Sequence, residues 1–183
     1  YTASDTLSLH DALPICAEIM APDYVPESFH NRELLWNAVE EVEKHPKAQL
    51  AYSFDIALQN EFTIEENIGI ARQFVMENLV AKGMIVDMAI HNPDKNGGIP
   101  NPHVHVMCPI RPMQEDGTWG EKQKREYLFD PDGNPILDGN GKLKYNAVPT
   151  TDWNRPEVLE QWRKAWAELV NLEFEKRGIH EHI

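Results

Sequence analysis

Three histidines are the residues of this chain whose placement asks for chemistry rather than packing. His103 and His105 stand one residue apart in the apolar run "IPNPHVHVM" (residues 99–107), where valine or isoleucine would bury at lower cost. In an extended strand the side chains alternate, so both rings point to one face, about 6.6 Å apart along the chain. Val104, Val106 and Cys108 point to the other face, the core side, which makes Cys108 a packing residue rather than a nucleophile. Upstream, "MIVDMAIH" ends on His91 and is followed by the turn-forming run "NPDKNGGIPN". That turn folds the two strands into a hairpin and brings His91 toward the same face. Three imidazoles converging in this way can each ligate a divalent metal ion (Mg, Mn or Zn), as zinc sites do at about 2.0–2.1 Å, and leave positions open for water or substrate. An open site of that kind serves Lewis-acid catalysis.

Two acids stand near this constellation. Asp87 shares the face of His91 and is expected either to orient that ring from behind the metal or to be a solvated surface group. Asp55 lies on the polar face of a strand over residues 48–58, where it reads as a metal ligand, a supporting catalytic acid or base, or an edge acid. Other motifs that begin with paired histidines do not fit. A cupin site wants a glutamate soon after the pair, but "VMCPIRPMQE" delays the first acid to Glu115. No zinc-protease H-E-x-x-H, Cys-x-x-Cys ribbon, phosphate-binding loop or dinucleotide fingerprint is present, and Gly97-Gly98 is turn material.

The elements that must hold these residues follow from periodicity. "ESFHNRELLWNAVEEVEKHP" predicts a helix with Leu35, Ala38, Val39 and Val42 on one side, closed by Pro46. "AQLAYSFDIAL" alternates, with Leu50, Tyr52, Phe54, Ile56 and Leu58 on one face and Asp55 on the other. Thr63 with Glu66 forms a capping box for a helix that Gly83 terminates. Strands follow over "MIVDMAIH" and "PHVHVMCP", and then short ribbons around "REYLF" and "KLKYNAV" joined by tight turns. Asn154 reads as the cap of a last helix, with Val158, Trp162, Trp166 and Leu169 as its buried stripe and Gly178 as its end. No internal repeat and no interdomain linker is evident. The order predicts an α+β domain, a mainly antiparallel sheet with helices packed on one face.

Composition sets the outer bounds. The 183 residues suffice for one domain with a real core. Two cysteines are too few for a disulfide framework and point to the reducing cytoplasm, and no apolar run is long enough to insert in a membrane. A net charge of −13 argues mildly against nucleic-acid binding by the surface as a whole. Residues 1–15 stand apart. They lack a cap and periodicity, and "TLSLHDALPI" resembles one reading frame of a sequencing-adapter oligonucleotide. They are read as a non-native leader before a domain over 16–183. Setting aside Asp5 and Asp11 leaves the balance at −11, still acidic.

"NPHVHVM", followed by "RPMQEDGTWG" and "TTDWNRPEVLEQWRKAWAELVN", closely resembles the MobA/MobL family of plasmid mobilisation relaxases, histidine–hydrophobic–histidine endonucleases. "AEIMAPDYVPE" and "RELLWNAVEEVEK" extend the likeness over nearly everything from Cys16 onward. The resemblance implies an incomplete relaxase domain of an enzyme that nicks and rejoins single-stranded origin DNA. In that chemistry a tyrosine hydroxyl attacks the scissile phosphate, and a divalent metal is held at the positions of His91, His103 and His105. Relatives usually carry an acid, often glutamate, where Asp55 stands. The implied partners are the origin DNA, relaxosome accessory proteins and a coupling protein. The family's nucleophilic tyrosine lies near the N-terminus, upstream of every matched segment, and none of Tyr24, Tyr52, Tyr127 and Tyr145 occupies its place. The expectation is therefore an N-terminally truncated relaxase that binds metal but does not itself cleave. Two alternatives remain: a rolling-circle replication initiator of the same endonuclease class, and a non-catalytic interaction fragment. In the latter the histidines are surface groups and Trp162 and Trp166 form a docking face, although burial preference favours packing for both tryptophans.

Overall fold

The computed structural model describes residues 13–92, 98 and 100–183. Residues 1–12, within the expected leader, and most of the turn run between the histidine strands lie outside these residues. The elements in chain order are β1 (Cys16–Met20), α1 (Arg32–Val42), β2 (Ala51–Ala57), α2 (Ile64–Asn78), β3 (Val86–His91), β4 (His103–Pro109), β5 (Gln123–Tyr127), β6 (Tyr145–Pro149) and α3 (Pro156–Lys176). Four strands form one sheet in the order β1-β3-β4-β2, every pair antiparallel, and β5 pairs with β6 in a separate ribbon. The α+β class is as the periodicity predicts.

Alternation assigns each strand two faces, and the register aligns them. Tyr52, Phe54 and Ile56 share a face with Cys108, Val106 and Val104, and with Val86, Met88 and Ile90. Against this face pack Ala71, Phe74 and Val75 from α2 and Leu79 just after it, with Trp162, Ala165, Trp166 and Leu169 from α3. The α3 stripe runs further than its spacing suggests, since Val170 and Phe174 are its fully buried members. The opposite face carries the histidines, and here the expectation that all helices share one face fails. Leu35, Trp36 and Val39 of α1 pack on it against Ile19, Ile85 and Met107. An amphipathic stripe specifies that one side of a helix is buried but not which face of a sheet receives it.

Local signals account for the helix ends. Asn31 accepts from the Leu34 amide at 3.1 Å, and Thr63 and Glu66 satisfy each other's backbone donors in the expected capping box. Gly83 closes the turn after α2 at φ +87°, a conformation that a side chain would strain. The expected cap of α3 moves by one residue: Arg155 is the cap position, without a side-chain bond, and Pro156 begins the helix. Proline suits that place because its missing N–H would have had no partner there.

The region after β4 corrects the expectation of no repeats. "MQEDGTW", "FDPDGNP" and "LDGNGKL" build the same tight hairpin three times. Gln114 bonds to Thr118, Asp130 to Asn134 and Asp138 to Lys142, each amide to carbonyl at 2.8–2.9 Å. Gly117, Gly133 and Gly141 hold the fifth position at φ +78°, +84° and +76°. The flanking residues bridge as Met113–Trp119, Phe129–Pro135 and Leu137–Leu143. Among the described residues no helix is long and apolar enough to cross a membrane.

Candidate metal centre

The register places His91 directly opposite His103 across the β3–β4 pair, and Asp55 opposite His105 across the β2–β4 pair. All four side chains therefore belong to one face, as alternation predicts. Their neighbours in those two rows are small: Ala57 beside His103, Ala89 and Ala17 beyond His105. Ala17 and Ala57 are exposed, and His103 and His105 are half-buried beside them. His91 sits deepest, at 2% exposure, because β3 is an inner strand buried along its whole length.

The ring nitrogens are fixed from behind. Nδ1 of His103 lies 2.8 Å from the carbonyl oxygen of Asn101, and Nδ1 of His105 lies 2.6 Å from Oδ1 of Asp55. A carbonyl and a carboxylate only accept, so both rings donate from Nδ1, which in a neutral imidazole leaves Nε2 as a lone-pair donor. Those two Nε2 atoms face each other at 3.0 Å. Two lone pairs at that separation repel unless a proton or a cation lies between them. Two nitrogens each about 2.0–2.1 Å from a shared ion stand about 3 Å apart when they subtend roughly a right angle, so the donor pair fits a divalent cation. His91 adjoins the pair, its ring centroid 5.7 Å from that of His103 and 5.1 Å from that of His105. The His91 and His103 rings are nearly parallel, at 14°. Among the described residues no three His, Cys, Asp or Glu side chains form a closed ligand set as they stand.

The two acids have exchanged the importance expected of them. Asp87 is four residues before His91 on the same strand, about 13 Å away along the chain. Its carboxylate is taken by Arg32, through Nε at 2.7 Å and Nη2 at 2.5 Å, and by the indole Nε1 of Trp36 at 2.8 Å. It anchors α1 to the sheet rather than orienting His91. The same contact raises the Arg32 guanidinium above its ordinary range, chiefly through the hydrogen bond to Asp87. Asp55, 63% exposed, is the acid that touches a site histidine, in the supporting role that the sequence left open. The Asn101 carbonyl was missed because no residue type marks a backbone acceptor.

The remaining nucleophile candidates lie elsewhere. Tyr52 is on the opposite sheet face, and burial raises its hydroxyl above the ordinary range. The Tyr24 hydroxyl lies against Gly83, and Tyr127 and Tyr145 meet edge to face in the ribbon at 6.0 Å. Burial pushes the Cys108 thiol far up, in keeping with a packing role.

Comparison with known proteins adds an independent line. The conjugal transfer protein TraA of Rhizobium radiobacter is 35% identical over 187 residues, a match covering 98% of this chain and 16% of that protein. The probable conjugal transfer protein TraA of Sinorhizobium fredii is 38% identical, covering 96% of this chain and 15% of its own length. A probable mobilization protein MobA of Bifidobacterium longum is 29% identical over 89% of this chain and 31% of that protein. The chain thus spans about a sixth of the TraA proteins it matches. A solved structure described as "Molecular Basis of Vancomycin Resistance Transfer in Staphylococcus aureus" superposes with a TM-score of 0.72 at 32% identity, covering 92% of this chain and 74% of that one. The MobA/MobL family model matches residues 14–183, which takes in every strand and helix of the sheet that holds the histidines. The chain belongs to the MobA/MobL family.

Proposed function

We propose that this chain supplies the metal-binding face of a conjugative relaxase that nicks and rejoins one DNA strand at a transfer origin. The observation that carries the reading is the facing Nε2 pair of His103 and His105, each ring fixed through Nδ1, with His91 on the adjacent strand. Transesterification exchanges one phosphate ester for another. A tyrosine oxygen bonds to phosphorus, the bond to the 3′ oxygen breaks, and the departing strand keeps a 3′-hydroxyl while the 5′ end is held as a phosphotyrosine. Reversal restores the strand without an outside energy source. His91, His103 and His105 would hold a divalent cation, which would supply charge neutralisation at the phosphate oxygens. The protein's share is positional. Asp55 and Asn101 keep two imidazoles in one tautomer and orientation, and the inner strand β3 keeps the third ring in register.

None of Tyr24, Tyr52, Tyr127 and Tyr145 is assigned as the nucleophile, so in this reading the chain alone holds metal and does not form the covalent intermediate. Its partners are origin DNA, relaxosome accessory proteins and a coupling protein, and its compartment is the cytoplasm. The conjugal transfer and mobilization names of the relatives favour this over initiation of rolling-circle replication.

Calorimetric titration with Mn²⁺ and Zn²⁺ tests the proposal. The wild type is expected to bind one ion per chain, and His103→Ala and His105→Ala each to weaken binding at least tenfold. Equal, weak binding by all three proteins overturns the reading and leaves the histidines as surface groups. A covalent adduct formed by this chain with an origin oligonucleotide and Mn²⁺ would show that a tyrosine of this chain is the nucleophile after all.

A further inference from the structure

We draw no further inference here: the strongest candidate, the apolar groove of about 680 Å³ along the outer edge of β2 beside Trp162 and Trp166 of α3, carries none because nothing in the structure shows what covers it.

Discussion

One face of the central sheet is treated in opposite ways at its two ends. At the end held by Ile19, Ile85 and Met107, α1 seals the surface with Leu35, Trp36 and Val39, and a buried carboxylate, Asp87, ties the helix down. Two rows along, among the described residues, α1 no longer lies over the strands. The side chains there are alanines and imidazoles, and the acid that pairs with them, Asp55, is largely in water. The same strands serve both ends, so the sealed end can hold the backbone in register while the other end leaves His103 and His105 half-buried and His91 beneath them. A site built on a rigid inner strand does not need a helix over it. It needs one beside it.

This division predicts that the two acids fail differently when removed. Asp87→Ala leaves the Arg32 guanidinium and the Trp36 indole without their acceptor. Breaking a buried pair by deleting one partner costs about 3–5 kcal/mol. The figure here belongs at the low end, about 3 kcal/mol, because the Arg32 side chain is 40% exposed and can turn to water. Urea unfolding measures it. Metal binding by the fraction that stays folded should be unchanged. Loss of binding at full stability would mean that Asp87 acts on the histidines after all and that the two ends are not separate.

Asp55→Asn is the converse. An exposed pair contributes little to folding, so the midpoint of unfolding should move by no more than about 0.5 kcal/mol. The amide is neutral and polarises the His105 ring less, and loss of such a supporting partner typically costs 10–100-fold in metal affinity. Titration of the variant beside the wild type decides the matter. An affinity within twofold of the wild type would reduce Asp55 to a surface acid.

The contrast between the ends also marks how far the sequence could be read. Alternation in "AYSFDIA" and "HVHVMCP", continued in "VDMAIH", is enough to place Asp55, His91, His103 and His105 on one face, because a shift of one residue would turn Val104 and Val106 away from the core. The position of α1 was not legible. Its stripe reads as buried, but Trp36, the residue that reaches Asp87, falls outside the spacing of Leu35, Ala38, Val39 and Val42. Strand β1, only five residues long, carries too short a pattern to separate from the leader before it. The three hairpins share a glycine at the fifth position, and in the second and third Asp130 and Asp138 each accept from the amides two and four residues on. What the sequence conveyed was which residues share a surface. What it withheld was which element lies against that surface.

The smallest effect tests the sealed end most sharply. Trp36→Phe keeps an aromatic ring over Ile19 and Ile85 but removes the indole N–H that donates to Asp87 Oδ2. Arg32 still supplies hydrogen bonds to both carboxylate oxygens, so the acid is not left bare. One hydrogen bond to a charged, mostly satisfied acceptor should then cost about 1–2 kcal/mol, including a small loss of packing. Combining the substitution with Asp87→Ala separates the two contributions. If the bond matters, Trp36→Phe costs almost nothing further once the carboxylate has gone, because its donor target is absent. If it costs the same in both backgrounds, Trp36 holds α1 by ring packing alone, and Arg32 becomes the only polar tie between the helix and Asp87.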